Sequence, residues 1–244
     1  MPLPAPAEVF ALPSQCAVCR GWSRARLCEA CVLRFAAPAP RCRRCAIGVP
    51  AGVEVCGACL LHPPPFEYTV AAVDYAYPWD ALVQRLKFHA ALDLAGALAA
   101  LLRDAVRRRT DAPLPDRVLP VPLSAARLRE RGFNQSWEIA RRAARALRCA
   151  ADAHLLLRMK DTAHQVALPH DRRAANVRGA FAVEPRRRGE VQGRVVALVD
   201  DVMTTGATVA ESATVLLQAG ARSVQVWVVA RTPRPRTDVG ADEG

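Results

Sequence analysis

The sequence predicts an α/β domain with a mostly parallel sheet, preceded by a small cysteine-rich module. Three observations carry this. Beyond residue 66, apolar β-branched runs alternate with segments of helical period, the pattern of strands joined by crossover helices. The run Val-Val-Ala-Leu-Val at 195–199 is apolar at every position, as in a strand buried on both faces. Eight of the nine cysteines fall in the first 59 of 244 residues.

Residues 1–15 are rich in proline and alanine and read as a flexible leader. They have no basic region and no sustained apolar core, so no secretory signal is expected, and the protein is placed in the cytoplasm. Residues 16–62 carry four C-x-x-C pairs: Cys16/Cys19, Cys28/Cys31, Cys42/Cys45 and Cys56/Cys59. In a reducing compartment such pairs point to metal rather than disulfides. A single pair would fit a redox motif, but no strand-then-helix context surrounds these four. Each pair supplies two thiolates to a tetrahedral zinc ion, and two pairs complete a site. The short spacers permit sequential pairing, with one site from Cys16, Cys19, Cys28 and Cys31 and another from Cys42, Cys45, Cys56 and Cys59. Interleaved pairing stays open.

The module is thus a double zinc ribbon with an internal repeat. Its arginines (Arg20, Arg24, Arg26, Arg34, Arg41, Arg43, Arg44) suit a nucleic-acid backbone or a solvated scaffold equally. Trp22 and Phe35 are expected to pack the thin core, with base stacking as the alternative. Cys149 stands alone and reads as a small buried apolar residue.

The formal charge of +11 comes almost wholly from arginine, with Lys87 and Lys160 the only lysines. Two zinc–tetrathiolate centres would lower the total to about +7. The balance suits anionic ligands and says little about nucleic acid. No apolar stretch approaches the ~20 residues of a membrane span, so no membrane insertion is expected.

His62-Pro63-Pro64-Pro65 is a stiff linker and the domain boundary, with the second domain at 66–231. Residues 66–75 read as a strand, 79–88 and 91–107 as helices, and 117–122 as a strand ending in prolines. The following segment clusters Arg127, Arg129 and Arg131 around a turn at Gly132, after which Asn134–Ser136 opens a helix to about 147. Clustered arginines behind a strand end make a second anion site, or else a solvated basic turn. Residues 155–158 form a short strand. The polar stretch 159–176, with Lys160, Thr162, Gln165, Arg172, Arg173 and Asn176, is long for a compact domain and therefore a candidate functional loop. Phe181 and Val183 resume extended structure, 184–193 is a charged loop, 223–230 is the last strand, and 232–244 is a disordered tail.

The functional stretch is Arg194 to Thr208, R-V-V-A-L-V-D-D-V-M-T-T-G-A-T. A buried strand ends at 199, two carboxylates follow, and a small polar loop leads into a helix over 209–219. Loop N–H groups and the positive helix end converge on one spot, the geometry that binds phosphate. Asp200 and Asp201 beside it suit sugar hydroxyls, a divalent cation, or both. The implied ligand is a ribose bearing a 5′-phosphate.

This stretch closely resembles the phosphoribosyl-pyrophosphate (PRPP) signature of type I phosphoribosyltransferases. Together with the cysteine array, P-P-P-F, L-K-F at 86–88 and R-G-F-N-Q at 131–135, the chain looks like the ComF family of predicted amidophosphoribosyltransferases, in its long form with a double zinc ribbon. The resemblance implies a type I phosphoribosyltransferase core that binds PRPP with Mg²⁺. Asp200 and Asp201 would hold the ribose hydroxyls, and Met203, Thr204, Thr205, Gly206, Ala207 and Thr208 the 5′-phosphate. Arg127, Arg131 and Arg158 would meet the pyrophosphate, Lys160 would act as a mobile cation, and 159–176 would be a lid over PRPP. Lys87 reads as a second special lysine or as one snorkelling from its helix. The resemblance also implies a role in competence, with single-stranded DNA or a competence helicase as partner. Two functions follow: phosphoribosyl transfer to an unnamed acceptor, or a non-catalytic DNA- or partner-binding protein that uses the PRPP site as a sensor. True glutamine amidophosphoribosyltransferases carry a glutaminase domain with an N-terminal cysteine, whereas this chain starts Met-Pro. Ammonia from glutamine is therefore not expected by that route.

Overall fold

The computed structural model describes residues 13–109, 111–160 and 177–233. The N-terminal module starts with β1 (Ser14–Gln15), paired antiparallel with β2 (Trp22–Ser23). Strand β1 thus occupies the last two residues of the stretch read as a flexible leader. Helices α1 (Glu29–Phe35) and α2 (Gly57–Leu61) each start immediately after a cysteine. The two halves of the module repeat bond for bond. Cys16 N donates to Gly21 O and Cys42 N to Ile47 O, both at 2.8 Å. Cys28 N lies 3.4 Å from Cys16 Sγ, and Cys56 N lies 3.3 Å from Cys42 Sγ.

The second domain begins with β3 (Tyr68–Asp74), then α3 (Trp79–Phe88), α4 (Asp93–Arg107) and β4 (Arg117–Pro120). Next come α5 (Ala125–Arg131), α6 (Gln135–Leu147), and the antiparallel pair β5 (Leu156–Arg158) and β6 (Phe181–Val183). A 3₁₀ turn over Pro185–Glu190 lies within the charged loop. The chain then forms β7 (Val195–Met203), α7 (Ala207–Gln218) and β8 (Ser223–Arg231). Strands β3-β8-β7-β4 make one sheet in that order, every pair parallel.

Both faces of this sheet are covered, as the unbroken apolar strand predicts. Ala197, Val199, Trp227 and Val229 face α3, α4 and α6 in one core, where Leu86, Leu98, Leu102 and Ile139 are fully buried. Val196, Leu198, Val226 and Val228 face α7 and the β5–β6 pair in the other.

The structure departs from the sequence reading in two places that matter to the site. β7 does not stop at 199 but continues to Met203, pairing with β8 as far as Met203↔Arg231. Asp200 and Asp201 are therefore strand residues on a rigid frame. The arginine-rich turn is the short helix α5, capped at its start by the Ser124 hydroxyl and ended by Gly132 at φ 78°. A left-handed residue there lets Gly132 N reach Leu128 O at 2.8 Å and stops the helix.

The ribbon docks closely on the second domain. Ala17 and Leu27 join the first core and Cys45 packs on the second. Trp79 Nε1 donates to Phe35 O (2.8 Å), Thr69 Oγ1 to Arg44 O (2.6 Å), and Arg26 and Arg41 pair with Asp93 and Asp74 (2.7 Å each).

Candidate functional site

At the C-terminal ends of the strands lies a cleft of ≈ 760 Å³. Its walls include Lys87, Arg127, Arg131, Gln135, Arg158, Asp200, Asp201, Thr204 and Thr208. Arg127, Arg131 and Arg158 are thus brought to the acidic pair with Thr204 and Thr208, as the crevice of a parallel α/β sheet leads one to expect, whereas Arg129 of the predicted cluster is not on the cleft wall.

The two carboxylates are held differently. Asp201, 2 % exposed, points into the face covered by α3 and α6. Lys87 Nζ lies 2.6 Å from its Oδ2, at ion-pair distance but without hydrogen-bond alignment. Gln135 Nε2 donates to Asp201 Oδ1 at 3.4 Å, and Gln135 Oε1 accepts from Arg131 Nη1. Asp200 Oδ1 accepts from Ser136 Oγ and from the Asp201 backbone N–H, both at 2.9 Å. Burial raises Asp200 and the Asp201 charge adds to it, against the pull of Lys87, so the carboxyl rises to about 7. Burial would also raise Asp201, but the Lys87 ammonium wins and holds it below its ordinary value. For Lys87, burial opposes the charge, and the attraction of Asp201 and Asp200 outweighs it to raise the lysine. The arrangement is one fixed ion pair beside one carboxyl that titrates near neutrality.

The R-G-F-N-Q-S segment builds this. Asn134 caps α6, its Oδ1 accepting from Ser136 N (2.9 Å) and Trp137 N (3.3 Å), while its Nδ2 donates to Val121 O (3.1 Å) on the β4 end. The cap fixes where α6 starts, so that Gln135 and Ser136 meet the acidic pair.

The loop opens α7. Gly206 sits at φ 85°, and a Cβ there would fall 2.6 Å from Met203 Cε. The positive φ favours glycine here, and a Cβ would in addition push aside the Met203 methyl, the end of a flexible side chain. Ala207 N donates to Thr205 Oγ1 at 3.2 Å. Met203 is buried beneath the loop.

Lys160 is not on the cleft wall. Its Nζ lies beside Gly179, and its carbonyl accepts from Arg158 Nε at 3.3 Å. Thr162, Gln165, Arg172, Arg173 and Asn176, with the rest of 161–176, lie outside the described residues, as does the tail from 234. Sequence reasoning missed Gln135 and Ser136, and left Lys87 between two readings. Lys87 does not snorkel but pairs with Asp201. The available signal was a lysine kept in a chain that otherwise uses arginine.

The eight ribbon cysteines gather as Cys16, Cys19, Cys28, Cys31 and Cys42, Cys45, Cys56, Cys59, the ligand atoms of each group within 4.8 Å of one another. Pairing is therefore sequential. Cys19–Cys28 and Cys45–Cys56 Sγ separations are 3.7 Å, close to the roughly 3.8 Å edge of a zinc–thiolate tetrahedron. Four thiols this close resist joint ionisation. Burial and the sulfurs of Cys28, Cys19 and Cys16 push Cys31 up to about 12. A dication resolves that conflict, so both groups fit zinc. Phe35 packs against the first core, shared with the second domain, rather than a core of the module's own, and Trp22 is 74 % exposed. Cys149 is half-buried.

The chain is 40 % identical over 232 residues to a DNA utilization protein YhgH of Salmonella typhi, covering 92 % of this chain and all of that one. It is 33 % identical over 223 residues to competence protein F of Haemophilus influenzae, covering 89 % and 96 %. The chain belongs to the competence protein F and DNA utilization protein family. No family model matches. Among solved structures, glutamine PRPP amidotransferase from B. subtilis aligns with 54 % of this family member and 25 % of its own chain, at 25 % identity and a TM-score of 0.36. TT1426 from Thermus thermophilus aligns with 60 % and 86 %, at 20 % identity and a TM-score of 0.34. Among the described residues no helix is long and apolar enough to cross a membrane.

Proposed function

We propose that this family member is a phosphoribosyltransferase-like protein that binds PRPP in the cleft and transfers its phosphoribosyl group to an acceptor. One observation carries the reading: the acidic pair, Thr204 and Thr208 at the two ends of the T-T-G-A-T loop, and Arg127, Arg131 and Arg158 line a single cleft. Displacing pyrophosphate at the ribose C1 asks for little covalent chemistry and much positioning. Asp200 and Asp201 orient the ribose hydroxyls, the loop N–H groups hold the 5′-phosphate, and the three arginines neutralise the departing pyrophosphate. Lys87 and Gln135 keep Asp201 in place. Lys160, off the cleft wall, acts only through its carbonyl, which accepts from Arg158 Nε. Mg²⁺ on the pyrophosphate would supply further charge neutralisation, with Asp200 and Asp201 the carboxylates placed to hold it.

Titration of PRPP with Mg²⁺ against wild type and the Asp200→Ala/Asp201→Ala variant tests the site. Equal affinities would sink it. Release of pyrophosphate with candidate amines and bases then tests transfer.

A second reading, a non-catalytic DNA-binding protein, is favoured by exposed Trp22 and by Arg20 and Arg24, which make no ion pair among the described residues. Arg26, Arg41 and Arg43 are instead paired with Asp93, Asp74 and Asp111. Single-strand affinity measured against salt for Trp22→Ala and Arg20→Ala/Arg24→Ala tests it.

A further inference from the structure

Arg231 ends β8 with only 6 % of its surface exposed. Its guanidinium joins two parts of the molecule. Nε donates to Cys45 O at 2.8 Å, in a knuckle of the second Cys₄ group. Nη1 faces Met203 O at 3.0 Å, Thr204 O at 2.5 Å and Thr232 O at 2.8 Å. Met203 and Thr204 lead directly into the T-T-G-A-T loop. No carboxylate of the described residues lies within ion-pair distance of Arg231. A buried charge without a counter-charge is expensive. A tetrathiolate centre loaded with a dication carries a net −2 and is the counter-charge at hand.

We infer that Arg231 is a positioning residue that ties the second Cys₄ centre to the phosphate loop, so that metal loading of the ribbon sets how well the loop holds a phosphate. The loaded centre fixes the Cys45 carbonyl and balances the guanidinium. The guanidinium in turn pins the carbonyls of Met203 and Thr204, and with them the direction of the following N–H groups. Loss of metal releases one end of this strut and slackens the loop. The phosphate half of the inference rests on the proposed reading of the loop; the strut itself does not.

Two measurements on the full-length chain separate the halves. The first is hydrogen exchange at 203–208 for wild type, Arg231→Met, Arg231→Lys, Cys59→Ser, and Arg26→Met, which breaks a different ribbon–core tie. Arg231→Met and Cys59→Ser should raise loop exchange at least tenfold, Arg231→Lys less, and Arg26→Met not at all. Metal analysis should find two zinc ions in Arg231→Met and one in Cys59→Ser. The second is binding of ribose 5-phosphate and of inorganic pyrophosphate. Arg231→Met and Cys59→Ser should each weaken ribose 5-phosphate at least tenfold while changing pyrophosphate less than twofold. Unchanged loop exchange in Arg231→Met, or an equal rise in Arg26→Met, overturns the strut. The predicted rise in loop exchange in Arg231→Met and Cys59→Ser, together with a wild-type protein that binds no ribose 5-phosphate, overturns the phosphate reading and leaves the strut standing.

Discussion

Lys87 Nζ, from the last turn of α3, sits 2.6 Å from Asp201 Oδ2 on β7 and ties the helix to the strand that carries the acidic pair. Lys87→Met leaves Asp201 buried beside Asp200 with its main counter-charge gone. Breaking a buried pair in this way costs roughly 3 kcal/mol. Denaturant unfolding should read that loss, and PRPP affinity should fall at least tenfold. Wild-type stability in this variant would contradict the pairing.

Asp200, raised to about 7, makes both stability and binding depend on pH. Its folded pKa lies above the unfolded value of a carboxyl, so the folded state binds more protons. Stability from this group is full in acid and is lost as pH rises through about 7. Asp200→Asn should therefore raise Tm, more at pH 8 than at pH 5, while abolishing PRPP binding. In wild type, PRPP with Mg²⁺ should bind tighter at pH 8 than at pH 6 and release a proton, detectable by calorimetry in buffers of different ionisation enthalpy.

Gly206→Ala meets both a φ of 85° and Met203 Cε. Gly132→Ala, at φ 78°, meets no neighbouring atom within 4 Å. The second should cost about 1 kcal/mol of backbone strain. The first should cost more, on the order of 2 kcal/mol with the clash added, and should lower ribose 5-phosphate affinity. Equal stability losses would argue against the Met203 contact.

Metal analysis of the purified chain should give two zinc ions, and Cys149→Ser should leave that number unchanged. Cys31→Ser should lose one ion and keep the other, since the groups do not share ligands.

The fold was largely legible because its signals are local. An unbroken apolar run marks a strand covered on both faces, and paired cysteines mark the metal groups. The site was legible where chemistry is written in adjacent residues, as in Asp200-Asp201 and the loop behind them. It was not legible where partners are distant in sequence. Nothing near Gln135 indicates that its amide reaches a carboxylate 66 positions away, and the Lys87–Asp201 pair spans more than half of the second domain. The end of β7 was misjudged for a related reason. Two carboxylates read as a strand stop, but Asp201 is neutralised from α3 and the ladder to β8 continues past it. The turn around Arg127–Arg131 became a helix because Ser124 caps it, a contact between neighbours that charge counting obscured.

The docking of the ribbon bears on how the molecule comes apart. Ala17 and Leu27 complete one core, Cys45 packs on the other, and Trp79 relies on Phe35 O for its indole N–H. Removing the first 60 residues would expose apolar surface on both faces of the sheet and leave Trp79 and Arg231 without those acceptors. The proline linker marks a boundary in the sequence but not a seam in the energetics. Heating should melt the metal-loaded protein in a single calorimetric transition, so the N-terminal piece is not a detachable adaptor but part of one cooperative unit.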